Sequence, residues 1–578
     1  MRLSQPHHDG SELYISNAAP QIGETITLRV RIPHSYSFEQ CLVRFYHDGE
    51  PRNTPLKLEK KLATESWWSA KVKILNKSTQ YRFIFVAPGL YESLNAYGLF
   101  DHDVHSNNDF VVVSNKANPS WIRSSVFYQI FPDRFAKSDR NYTLPNWAQH
   151  RDWNDFPAGR INTTGTEVYG GDLRGVEEHL DHIEDLGING IYFTPFFPSR
   201  SNHRYDATSF REVDPLLGGD KALFSLVKKA KAKKIHVMAD LTSNHCGVGH
   251  PWLAKARKNK KSKEHGYFYW DKSVKHGYVG WFGLESLPKL NFSSQPLRNE
   301  MYEGKNSIVK QWLRSRYGMS GWRIDVGNMT GRQGEEDHHD EVMHGIRAAM
   351  EEVNPEAWLV AENGDFVAKD LDGFGWHGAM NYQGFMRPFW NWMNRNPQIT
   401  GGFQGLPFAM PKISGKQLVA SMNEFNASIP WRSLVSSMTF LDTHDTARFR
   451  SVVMGDKAAH EAAIGEDARR TIDWDNKPYW DHTFYASVRH LVRTRRKHDA
   501  FANGGLRWVA VEENYLAFLR ESKKESILFF ISRDAVKAKI DLAPLGMTIK
   551  ENLAGESARG SRISIKSKSA TYGMWVVE

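Results

Sequence analysis

The sequence predicts an α/β chain: a (β/α)8 barrel preceded by a β-sandwich, with a small insertion after its third strand and a β domain behind it. Three observations carry that expectation. Apolar residues alternate with a period of two over the first 115 or so positions, as in half-buried strands. From Ser124 to about residue 490, strand-like runs alternate with helix-like ones, the pattern of a parallel sheet covered by helices. Beyond about residue 500 the period-two pattern returns. The expected bounds are 1–118 for the sandwich, 119–498 for the barrel with its insertion at about 246–300, and 499–578 for the last domain. A chain of 578 residues supports several domains and at least one large core.

Taken in order, Ile26, Leu28, Val30 and Ile32 alternate with Thr27, Arg29 and Arg31, and Trp67–Val72 and Tyr81–Val86 repeat the pattern between Gly and Pro punctuation. Asp101–Phe110 is rich in metal-capable side chains but has no fixed ligand spacing, so a solvated loop is expected. Val126–Ile130 reads as the first barrel strand. Leu173, Val176, Leu180, Ile183 and Leu186 form one helical stripe closed by Gly187, and Gly190–Thr194 is the next strand. A helix at Leu223–Ala232 and a strand at Ile235–Asp240 follow. The Lys-, Gly- and Trp-rich stretch from Leu241 to about Glu300 reads as the insertion. Then come the strand Gly321–Asp325, a helix near Val342–Val353, the strand Trp358–Glu362 and a later strand at Val435–Leu441. Leu516–Arg520, Ile527–Ser532 and Gly573–Val577 are strands of the final domain.

Composition narrows the function classes. The net charge of +9 is partly concentrated in runs such as Lys255–Lys263 and Arg493–Lys497, which read as solvated faces, and no nucleic-acid motif accompanies them. No apolar run approaches the length needed to span a bilayer, and the first residues lack an apolar signal core. Cys41 and Cys246 stand far apart, which points to a reducing compartment rather than a disulfide scaffold, so a cytoplasmic protein is expected. Nineteen tryptophans offer aromatic faces to flat apolar surfaces, those of sugar rings included.

The residues with chemistry stand at strand ends. Gly321-Trp-Arg-Ile-Asp-Val326 puts Arg323 and Asp325 on one face of an extended chain, with the carboxylate at the strand's C-terminal end. Asp240-Leu-Thr-Ser-Asn-His245, Glu362 closing Trp-Leu-Val-Ala-Glu, and Thr443-His-Asp445 complete a set of four. Each alone is a common helix cap. Together, in this order, they resemble the signature regions of the α-amylase superfamily of glycoside hydrolases. Tyr128-Gln-Ile-Phe-Pro-Asp-Arg-Phe135, Tyr169-Gly-Gly-Asp-Leu-Arg-Gly175 and His203-Arg-Tyr-Asp206 extend the resemblance, and Leu287-Pro-Lys-Leu-Asn291 resembles the short motif of the cyclomaltodextrinase, neopullulanase and maltogenic amylase group.

The resemblance implies roles. Asp325 would be the nucleophile, Glu362 the acid/base and Asp445 the third acid gripping sugar hydroxyls, in a retaining cleavage that needs two carboxyls about 5–5.5 Å apart. Arg323 would hold Asp325 ionised by opposite-charge stabilisation. His245 and His444 would donate hydrogen bonds in the same subsite, and Tyr205 would stack beneath the sugar. The implied substrates are short or cyclic α-1,4-linked gluco-oligosaccharides, including ones with α-1,6 links. Two alternatives stay open: a related transglycosylase, and a catalytically silent amylase-like binding subunit. The group also implies a homodimer whose N-terminal domain roofs the partner's site, with Trp67, Trp68 and Phe100 as a contact surface.

The sequence departs from the group in four places. Glu362 is followed by Asn363-Gly-Asp365 rather than an early aromatic, and Met329 stands where an acid is usual. Lys137-Ser-Asp-Arg-Asn-Tyr142 replaces a calcium-site pattern, and a lysine ammonium is incompatible with such a site, so no metal or other cofactor is expected. Between Asp445 and Asp467-Ala-Arg-Arg470 the interval is too short for both the helix and the eighth strand of the family.

Overall fold

The computed structural model describes residues 2–159, 163–395, 411–454 and 468–578. In the N-terminal part, Thr25–Pro33 turns Ile26, Leu28, Val30 and Ile32 inward and pairs antiparallel with Glu65–Lys73. That three-stranded sheet closes on a six-stranded one built around Gln40–His47 and Ser78–Ala87, with Val43, Phe83 and Phe85 in the shared core. Trp67 and Trp68, expected to lend a contact surface, are half-buried. Trp67 stacks on Tyr14 at 5.2 Å with Arg31 over its ring, and Trp68 packs edge-on against Phe38.

Six parallel strands form the barrel wall among the described residues, in chain order: Phe127–Ile130, Gly190–Phe193, His236–Leu241, Gly321–Ile324, Trp358–Ala361 and Gly378–Ala379. The third, fourth and fifth are buried along nearly their whole length, as strands covered on both faces must be. Gly321 is required where it stands, because a Cβ there would lie 2.1 Å from the Trp358 carbonyl oxygen of the neighbouring strand. The stripe Leu173, Val176, Leu180, Ile183 and Leu186 is buried as expected, but on two helices, Leu173–Glu178 and Leu180–Asp185. They part at His179, whose ring bonds the Gly175 carbonyl 2.8 Å away.

The wall loses its regularity past Ala379. Val435–Leu441, expected as a strand, makes a single parallel bridge between Met438 and Met380. Its first residue continues the turn of the helix Trp431–Leu434, bonding back to the Trp431 carbonyl, and helical backbone cannot join a ladder. Next, a helix forms at Phe449–Met454, within the short interval singled out in the sequence, while the rest of that interval, 455–467, lies outside the described residues. Between the Met438 segment and the first strand lies a cavity of about 610 Å³, bordered by Phe127, Tyr192, Trp358, Met380 and Phe440. The helix His482–Lys497 follows, and among its residues only Thr494 is fully buried.

The C-terminal part has a five-stranded antiparallel sheet and a two-stranded one around Leu528, Phe530 and Trp575. It is tied to the N-terminal part by buried charges. Arg31 bridges Glu65 and Glu521, and Arg507 reaches Glu65 at 3.1 Å. No helix among the described residues is long and apolar enough to cross a membrane.

Candidate active site

The backbone creates the site at the ends of three neighbouring strands. Asp240 lies in the third, Arg323 in the fourth, Asp325 just past the fourth and Glu362 just past the fifth. The register sets Asp240 opposite Arg323, so the guanidinium meets carboxylates from both sides. Arg323 is fully buried, and its Nη1 donates to Asp240 at 2.8 and 3.0 Å and to Asp325 at 2.8 Å. Its Nη2 stands 2.9 Å from Glu362 Oε2 as an ion pair.

The chain then turns sharply. Val326 adopts a left-handed conformation (φ 47°, ψ 44°), which a β-branched residue seldom takes and which surrounding structure must enforce. The turn aims its N–H at Glu362 Oε2, 3.0 Å away, while Gly327 donates to the Glu362 carbonyl. Gly327 is needed because a Cβ would lie 2.8 Å from the Ala361 Cβ. The strain therefore fixes Glu362 against Asp325. Glu362 Oε1 makes no hydrogen bond.

A second layer comes from the other side of the barrel. Gln129 donates its amide N–H to His444 Nδ1 at 3.0 Å and accepts from the His444 backbone, which leaves the proton of the neutral ring on Nε2. That Nε2 stands 2.7 Å from the Tyr205 hydroxyl and 3.1 Å from Asp445 Oδ2. The Tyr205 hydroxyl donates to Asp240 at 2.9 Å, and its ring stacks on His444 at 7°. Arg469 holds the segment: its Nε donates to the His444 carbonyl at 2.8 Å and its Nη2 to Asp445 at 2.9 Å. His245 lies with Nε2 3.9 Å from Asp325 Oδ2, beneath the stacked ring of Trp281. Lys289, from the Leu287–Asn291 motif, bridges the His245 backbone.

Four carboxylates share two guanidinium groups here, so the fully ionised cluster would be strongly anionic. Burial pushes Asp325 well above the ordinary carboxylate range against the pull of Arg323, and it raises Glu362 as well. Burial raises Asp240 to about 6. Arg323 pulls Asp325 down, in the expected direction, but the one guanidinium is divided among three buried carboxylates while burial pushes all three up. Asp445 is the exception. Burial pushes it up, yet the neighbouring His444 and Arg469 bring its carboxyl below the usual value. Burial lowers His245 and His444 to about 3, so both are neutral at ordinary pH.

All seven residues selected from sequence, Tyr205, His245, Arg323, Asp325, Glu362, His444 and Asp445, converge on this cluster. Sequence reading did not select Asp240, Gln129, Arg469 or Trp281 as site residues. Asp240 was visible as a strand-end acid; Arg469, adjacent to the short interval, carried no comparable signal. Among the described residues no group of three or more His, Cys, Asp or Glu side chains is placed to hold a metal, and the Lys137 ammonium lies over the Trp153 ring at 5.7 Å.

Acid side chains gathered at the strand ends of a parallel barrel around one buried arginine define a glycoside hydrolase. Residues 129–479 match the family model "Alpha amylase, catalytic domain", and the chain belongs to that family. A cyclomaltodextrinase from a Bacillus species is 28% identical over 460 residues, covering 72% of this chain and 74% of the relative. A solved structure of a cyclomaltodextrinase aligns over 100% of both chains with a TM-score of 0.69 at 21% identity. The ligand-free cyclic α-maltosyl-(1→6)-maltose hydrolase of Arthrobacter globiformis aligns over 79% of this chain and all of its own, with a TM-score of 0.64 at 23% identity.

Proposed function

We propose that the chain hydrolyses α-1,4-glucosidic bonds in short or cyclic gluco-oligosaccharides with retention of configuration. The observation that carries this reading is the Arg323-centred pairing of Asp325 with Glu362, fixed by the strained Val326. Asp325 would attack the anomeric carbon while Glu362 gives its proton to the departing oxygen. Water, deprotonated by Glu362, would then release the sugar from Asp325 and restore both groups. The hydrogen bonds support this division of roles. Asp325 receives a direct bond from Arg323, which favours its anion, whereas the unbonded Glu362 Oε1 is the oxygen able to present a proton.

Asp445, less buried than the other acids and ionised by its neighbours, would grip ring hydroxyls together with the neutral N–H groups of His444 and His245. Tyr205 would carry the sugar face. The name of the Bacillus relative, cyclomaltodextrinase, supports a compact substrate. Proton NMR of the first product formed from cyclodextrin tests the reading: the α-anomer is expected at early times, and initial release of the β-anomer would overturn retention.

A further inference from the structure

Buried hydrogen-bond donors without partners gather where the N-terminal segment, the short helix Trp431–Leu434 and the C-terminal strand Gly505–Val511 meet. A cavity of about 380 Å³, within the range of small-ligand sites, opens there. Arg507 and Trp431 are buried in its wall. Arg507 uses Nη1 on Glu65 at 3.1 Å, while its Nε and Nη2 have no hydrogen-bond partner. Those two N–H groups share one edge of the planar guanidinium and point the same way. They form the fork that grips two oxygens of a carboxylate or a phosphate. The indole N–H of Trp431 is unpartnered as well, and so is His7 Nε2, which stands 3.6 Å from Asp9. Asn95 spends its Oδ1 on the N–H groups of Tyr97 and Gly98, which leaves its amide N–H groups to donate.

The carboxylates nearby are already engaged. Asp9 accepts from the backbone of Ser11 and Leu506, and Glu65 lies between Arg31 and Arg507. Charge leaves room for an anion. Arg31 and Arg507 face Glu65 and Glu521, and Arg520, bonded to the carbonyls of Gly504 and Gly505, offsets Asp9. Three guanidiniums thus balance three carboxylates, and the surplus at the cavity is in donors. A buried guanidinium edge left unbonded is costly, and the oxygens of one oxyanion would satisfy it.

We propose that this cavity binds a small organic oxyanion, with its carboxylate or phosphate head on the Arg507 fork and the Trp431 N–H directed to the same ligand. The site is separate from the acid cluster of the barrel. Because its wall draws on three parts of the chain, occupancy should also raise Tm. The probes are gluconate and glucose 6-phosphate, each titrated by calorimetry into the full-length protein. One binding event per chain is expected for at least one of them; the probe that binds tells a carboxylate from a phosphate. Arg507→Lys keeps a cation opposite Glu65 but loses the fork, and Trp431→Phe keeps a ring but loses the N–H. Each should weaken the event at least tenfold and leave cyclodextrin turnover unchanged. Should Arg507→Lys fail to fold, Trp431→Phe decides alone. No binding of either probe at millimolar concentration, or binding that a folded variant leaves unchanged, overturns the proposal.

Discussion

The two halves of the barrel wall are built differently. From Asp240 to Glu362 the wall consists of neighbouring, fully laddered strands, and a single buried arginine gathers three carboxylates across them. On the opposite side one bridge, Met380 to Met438, stands where a ladder was expected, beside a cavity of about 610 Å³. There the candidate site residues His444 and Asp445 are held by side chains reaching in from elsewhere, Gln129 and Arg469. One half positions its chemistry by sheet register; the other does so by individual hydrogen bonds. Register is shared among many backbone bonds, whereas each such side-chain contact is a single point of failure.

That contrast sets the expected order of effects. Asp325→Asn removes the proposed nucleophile and should lower kcat on cyclodextrin by about 10⁴-fold or more, with the circular dichroism spectrum unchanged. Arg469→Met acts on the half without register. It should cost about 10²-fold in kcat/KM through displacement of Asp445, and a loss smaller than about threefold would show that this half is also fixed by its backbone. Met438→Pro removes the N–H that bonds Ala379 at 2.9 Å. It should destabilise the fold by about 1–3 kcal/mol, read as a fall in Tm, and an unchanged Tm would mean that the single bridge contributes nothing.

A further effect is with pH. His245 and His444 are neutral in the fold, with values near 3, while unfolded histidine takes up its proton near 6.5. The unfolded chain then binds more protons between those values, so stability should decline as pH falls from about 6.5 towards 3 and level off above 6.5. For activity the signs run through the acids. The proposed reaction needs Glu362 protonated and Asp325 ionised, and burial raises both, so the whole rate profile should lie above the range of ordinary carboxylates. Glu362→Gln should abolish its alkaline limb.

How legible the molecule was in its sequence follows the same division. Arg323 and Asp325 are two residues apart on one strand, and period-two geometry puts them on one face without further information. Asp240, Glu362 and the strands carrying them are continuous apolar runs that only a buried parallel sheet accommodates. Val435–Leu441 has the same apolar character, yet its backbone starts in a helical turn and finds one bridge, and apolar content does not report pairing. The contacts from Gln129 and Arg469 to His444 span 315 and 25 residues, distances over which no local pattern exists. The strain at Val326 was equally hidden, because nothing in Asp-Val-Gly marks the valine as left-handed. Trp67 and Trp68 are neighbours on one strand and so face opposite sides of the sheet, and sequence alone does not reveal how far the rest of the domain covers each.

The most direct test of the Arg323-centred pair as a retaining site is to trap its intermediate. The Glu362→Gln protein would be incubated with an activated α-glucosyl fluoride, whose leaving group needs no acid, and then digested for peptide mass spectrometry. The account predicts a hexosyl adduct on the peptide containing Asp325, absent in the Asp325→Asn, Glu362→Gln double variant. An adduct on Asp240 or Asp445 instead, or hydrolysis of the fluoride to the β-anomer with no adduct, would contradict it.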